Sequence, residues 1–148
     1  TAPGRRVLVV ITDGDDTFSR ADLGDAIDLA QRTETTIFAI STKAGFMGSV
    51  PGVDAGTVRD KGDNDLVRMC QETGGDAFFS GDILELERAF KKISNELKSQ
   101  YIITYRPADQ EYDGRDRQIE VRFKDKQKQD DYKIRTKKKY RAVRDSLR

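Results

Sequence analysis

The 148-residue chain is long enough for one domain with a real core, or for a core plus a small appendage. Charged and hydrophobic residues each make up 36%, and no apolar run approaches the ~20 residues of a membrane span, so no membrane insertion is expected. With no histidine, Ser-His and Cys-His catalysis are excluded; with one cysteine, Cys70, so is an internal disulfide.

The net charge of +1 hides an asymmetry. Residues 1–113 carry 13 Lys/Arg against 20 Asp/Glu, whereas residues 114–148 carry 14 against 6. The basic residues alternate with apolar ones and few aromatics are interleaved, which fits a solvated strand face better than a nucleic-acid surface.

The first predicted element is the apolar run Val7–Ile11, which suits a strand buried on both faces of a parallel sheet. It runs directly into Thr12-Asp-Gly-Asp-Asp-Thr17, three carboxylates and two hydroxyls, and ligands gather at the carboxyl ends of such strands. Ser19 is the expected N-cap of a helix over 20–33, with Leu23, Ala26, Ile27 and Ala30 on one face. A second buried-type strand covers 36–41. Residues 43–62 hold five glycines and a proline without periodicity, so a long loop is expected. Asp63 caps a predicted helix over 64–73, where Cys70 packs among Leu66, Val67 and Met69. A short strand follows at 77–80.

The clearest helix spans 83–98, with Ile83, Leu86, Phe90, Ile93 and Leu97 forming one stripe. The order β-α-β-loop-α-β-α predicts an α/β fold with a doubly wound, Rossmann-like parallel sheet. Strands are then predicted at 100–105, 118–123 and 132–136 without intervening helices, the polar run 125–131 acting as a hairpin connection. The expected organisation is therefore an α/β unit over 1–98 and an antiparallel β extension with a basic tail over 99–148.

Several segments together resemble a von Willebrand factor type A domain, and are especially similar to the related acidobacterial domains. They are Val9-Val-Ile-Thr-Asp-Gly14, Thr36-Ile-Phe-Ala-Ile40, Glu72-Thr-Gly-Gly-Asp-Ala-Phe-Phe79 and Glu96-Leu-Lys-Ser-Gln-Tyr-Ile-Ile-Thr-Tyr105. Arg117-Gln-Ile-Glu-Val-Arg122 and Lys133-Ile-Arg-Thr-Lys-Lys-Lys-Tyr140 resemble the strand extension of that subgroup. The resemblance implies a non-catalytic adhesion-type module, secreted, periplasmic or at the cell surface. It would bind Mg²⁺ or Mn²⁺ and accept an acidic side chain from a protein partner. Of the family's metal ligands only the Asp of its Thr-Asp-Gly turn has a counterpart, Asp13, with Thr12, Asp15 and Asp16 nearby. No Asp-x-Ser-x-Ser occurs in the sequence. The resemblance thus implies the carboxyl-terminal half of such a domain, with weak or absent metal binding by this chain alone. It also leaves Val7–Ile11 as an apolar edge strand, a site of expected self-association.

Asp13-Gly-Asp-Asp-Thr17 also resembles the Asp-x-Asp-x-Thr motif of haloacid dehalogenase-like phosphatases. That resemblance implies Asp13 as nucleophile and Asp15 as general acid/base with Mg²⁺. Ser41 or Thr42 would hold phosphate, Lys43 or Lys61 would steady charge, and Asp82 would be a downstream metal ligand. The plainest alternative is that Asp13-Gly14 merely turns the chain.

Overall fold

The computed structural model describes residues 6–12, 20–42 and 61–143. Asp13, Asp15, Asp16, Thr17, Ser19, Lys43 and most of the long loop lie outside them. Strands β1 (Arg6–Thr12), β2 (Thr35–Ser41) and β3 (Ala77–Phe79) pair in parallel in that order. Helices α1 (Leu23–Arg32) and α2 (Lys61–Thr73) connect them, and α3 (Ile83–Lys98) follows β3. The parallel α/β layer is the predicted one.

Alternation along β2 divides the core in two. Ile37 and Ala39 face α1 and α2, packing with Ala30, Leu66 and Cys70. Phe38 and Ile40 face the other way, against Ala89 and Ile93 of α3. Successive side chains of a strand point to opposite faces, so a strand lying between two others is buried on both.

The first strand does not follow that rule. Leu8 is 49% and Ile11 52% exposed, and only Val7, Val10 and Thr12 are half-buried. The expectation of burial on both faces is corrected: among the described residues β1 has a neighbour on one side only, and the helices centre on β2. The α3 stripe is also rotated from its expected position. Ile83 is 82% exposed and Phe90 is exposed, while the helix meets the sheet through Leu86, Ala89, Ile93 and Leu97. The small Ala89 lets the helix approach Phe38 closely.

Helix starts follow local carboxylates. Asp22, not Ser19, caps α1: its Oδ1 accepts the Asp25 N–H at 2.8 Å, while Asp25 Oδ2 accepts the Asp22 N–H at 3.3 Å. This reciprocal box satisfies two amide donors otherwise lacking helical partners. Asp63 lies in the first turn of α2 rather than before it.

Beyond α3 the pattern departs further from expectation. Tyr101–Tyr105 pairs with no strand among the described residues. The antiparallel pair forms instead between β4 (Asp116–Gln118) and β5 (Lys139–Arg141), shifted from the expected 118–123 and 132–136. Residues of the polar connection form a short helix, α4 (Lys126–Asp131), because Asp125 caps it through the Gln127 N–H.

The basic extension is held against the acidic layer. Arg135 pairs with Asp76 at 3.0 Å and with Glu96 of α3. Lys137 lies 3.5 Å from Glu34, and the Lys138 N–H donates to the Glu72 carbonyl. Lys139 and Arg141 both reach Asp28 of α1 and Asp116 of β4. The surplus of the last 35 residues is thus partly balanced within the chain rather than simply solvated. Exposed pairs are worth ~0–1 kcal/mol each, so their main effect is to fix where the strap lies.

Candidate functional site

The carboxyl ends of the three parallel strands form a crest of hydroxyls. Thr12 ends β1, Ser41 ends β2 with Thr42 directly after it, and Ser80 follows β3. Backbone bonds hold them in line: the Thr42 N–H donates to the Thr12 carbonyl at 2.9 Å, and the Ser80 N–H to the Ser41 carbonyl at 2.8 Å. The chain leaves β1 at this crest toward Asp13, where doubly wound sheets bind ligands.

Ser41 and Asp63 are buried together, the Ser41 hydroxyl donating to Asp63 Oδ1 at 3.0 Å. A buried carboxylate needs such partners, since burial without them is costly. The Ser80 hydroxyl donates to the Asp82 carbonyl at 2.7 Å, and Asp82 Oδ1 accepts the Glu85 N–H at 2.7 Å, capping α3. Thr42 Oγ1 also approaches the Thr12 carbonyl, at 3.4 Å.

The predicted site residues therefore divide. Thr12, Ser41, Thr42 and Asp82 are brought to one end of the sheet, and Lys61 opens α2. Asp13, Asp15, Asp16 and Lys43 lie outside the described residues. The Ser41–Asp63 bond escaped the sequence reading, which treated Asp63 only as a cap. Its available signal was a hydroxyl at the end of an apolar strand, repeated at Thr12, Ser41 and Ser80.

Cys70 plays no part in this crest. It is fully buried in the core between β2 and α2, where burial pushes its thiol up to about 12 and the charge of Asp76 adds to the rise. A neutral thiol in an apolar site packs as a small hydrophobe.

Two further cavities lie away from the crest. One, of about 560 Å³, opens between the arms 119–121 and 131–138 of the extension. The other, of about 500 Å³, runs between Val9 of β1 and Phe90, Ile93, Ser94, Leu97 and Lys98 of α3, and is mostly apolar.

No family model and no curated protein matches the chain. Among solved structures it is similar to an uncharacterized membrane-spanning protein from Vibrio fischeri. The TM-score is 0.51 at 21% identity, over 63% of this chain and 47% of that one. The chain thus spans about half the length of that structure, and the likeness concerns the fold alone. No helix among the described residues is long and apolar enough to cross a membrane.

Proposed function

We propose that the chain is part of a von Willebrand factor type A-like module that binds proteins without catalysis, with the crest at the carboxyl ends of β1, β2 and β3 as its contact surface. One observation carries the reading. Thr12, the residue before Asp13, is hydrogen-bonded to Thr42 beside the buried Ser41–Asp63 pair, so the Thr-Asp-Gly turn begins at the ligand-binding end of the sheet.

Mg²⁺ or Mn²⁺ takes about six oxygens in near-octahedral array. The described crest does not meet that demand by itself: it brings one buried carboxylate, Asp63, and the described residues hold no cluster of three acidic, His or Cys side chains to supply the rest of the shell. With no Asp-x-Ser-x-Ser in the sequence, Asp13 and its neighbours Asp15 and Asp16 lack the hydroxyl-rich half of the shell. The metal-dependent step belongs to a complete domain that supplies this half, and the partner's acidic side chain would meet the metal there. A secreted, periplasmic or cell-surface setting goes with this reading.

Calorimetry with Mg²⁺ tests it. The chain alone should show no saturable binding in the micromolar range. Tight binding that is abolished by Asp15→Asn would favour the phosphatase reading, in which Asp13 and Asp15 both approach the metal.

A further inference from the structure

We propose that residues 135–141 form a releasable strap, latched across the α/β layer by ion pairs, which lifts off at raised ionic strength while the layer beneath stays folded. The inference is independent of the adhesion reading and of any metal.

Alternation in the sequence sets up the latch. Arg135-Thr-Lys-Lys-Lys-Tyr-Arg141 places a cation at every odd position. Successive side chains of an extended chain point to opposite sides, so these four cations share one side. That side meets a carboxylate at each step. Arg135 pairs with Asp76 at 3.0 Å and with Glu96, and Lys137 lies 3.5 Å from Glu34. Lys139 and Arg141 converge on Asp28, at 3.4 and 2.9 Å. These carboxylates come from α1, the turn after it, the entry to β3, and α3, so one short segment spans much of the layer. Between them, Thr136 and Lys138 turn the other way and line the cavity of about 560 Å³ that separates the strap from residues 119–121.

The backbone has its own seat. Gly74, at a φ of +90°, lies directly beneath it: a Cβ there would stand 3.0 Å from both the Lys137 nitrogen and the Thr136 carbonyl carbon. A side chain at this position would hold the strap away. Next to it the Lys138 N–H donates to the Glu72 carbonyl of α2 at 3.2 Å, a bond made while the strap is seated and broken when it lifts.

What holds the strap differs from what holds the layer. Both apolar clusters of the layer are built from residues between Val7 and Leu97. Among the described residues of the extension, Ala142 is the one buried apolar side chain. Exposed ion pairs contribute ~0–1 kcal/mol each and are screened by salt, whereas buried apolar surface carries no charge to screen. A segment with few buried apolar contacts opens locally, at a lower cost than global unfolding. Release of the strap leaves Asp28, Glu34, Asp76 and Glu96 facing water as an acidic seam.

Amide hydrogen exchange on the full chain, followed by NMR in NaCl at about 0.1 M and about 1 M, tests the proposal. The screening length falls from about 10 Å to about 3 Å over that range, so the Lys138 amide should exchange at least about five-fold faster in the higher salt. The amides of Phe38 and Ile40 in β2 should change less than about two-fold. Arg135→Gln, which removes the pairs to Asp76 and Glu96, should speed Lys138 exchange in the lower salt at least about two-fold and leave a smaller salt response. Lys138 exchange indifferent to salt would overturn the proposal. So would Lys138, Phe38 and Ile40 responding in step, since strap and layer would then open as one unit. An Arg135→Gln protein with the parent's exchange at Lys138 would overturn it as well, by showing that charge does not hold the strap.

Discussion

Among the described glycines Gly75 lies closest to a neighbouring backbone, and Gly75→Ala tests how the helix-to-strand turn is built. A Cβ at this buried position would lie 1.9 Å from the Ile37 carbonyl oxygen and 2.7 Å from its carbon. Both atoms belong to the backbone of β2, which is paired to β1 and β3, so no rotamer change relieves the clash. The turn must move outward. That loosens the Gly75 N–H bond to the Cys70 carbonyl at 2.9 Å and the Ala39 N–H bond to the Asp76 carbonyl at 3.2 Å. Overpacking costs about 1–3 kcal/mol and each weakened bond about 0.5–1.5 kcal/mol. A total near 3 kcal/mol is a large share of the ~5–15 kcal/mol of a typical domain. Urea unfolding followed by circular dichroism should show that loss, with Tm lower by roughly 6–12 °C. Gly114→Ala is the comparison: its φ is +74° with nothing within 4 Å, so only left-handed strain of about 1–2 kcal/mol applies. A Gly75→Ala protein within about 0.5 kcal/mol of the parent would refute the close approach.

Ile93→Ala should cost about 2–5 kcal/mol in the same assay, because Ile93 is buried against Phe38 and Ile40. Ile83→Ala, at the exposed start of the same helix, should stay within about 0.5 kcal/mol, and equal losses would mean the stripe faces the sheet as the sequence implied. Cys70 should resist a thiol reagent at pH 8 until urea unfolds the chain; rapid labelling of the native protein would contradict its burial and raised pKa. Asp116 is held below its ordinary 3.8 chiefly by the hydrogen bond from Lys139 and then by that from Arg141. Its contribution is present above that value and is lost as pH falls through the lower folded value, so the Asp116 contacts to Lys139 and Arg141 that join β4 to β5 should hold at pH 5 and weaken only below about pH 4. Loosening of these contacts between pH 7 and 5, followed by NMR, would contradict that assignment.

The strongest sequence signal was β2, where Thr36–Ile40 is apolar at nearly every position and lies between two strands. Val7–Ile11 reads the same way, yet β1 is half exposed: an apolar run records what a strand can bury, while its neighbours decide what it does bury. Helices α1 and α3 were legible from period and charge, but α1 starts at the carboxylate of Asp22 rather than at Ser19. Tyr101–Tyr105 has the propensity of a strand yet pairs with no strand among the described residues, because pairing is a non-local event. The crest was legible only in part. Hydroxyls ending strands mark it, whereas the Ser41–Asp63 bond joins residues 22 apart across a loop of no recognisable period. The partners of the basic extension, Asp28, Asp76 and Glu96, sit on three different segments, and composition alone could not pair them.

Turnover of an aryl phosphate with Mg²⁺ present bears most directly on whether this crest binds or catalyses. A binding module should release no product above the uncatalysed rate, in the parent chain and in Asp13→Asn alike. Turnover by the parent that disappears in Asp13→Asn, with the circular dichroism unchanged, would contradict the adhesion-type account and make Asp13 a nucleophile.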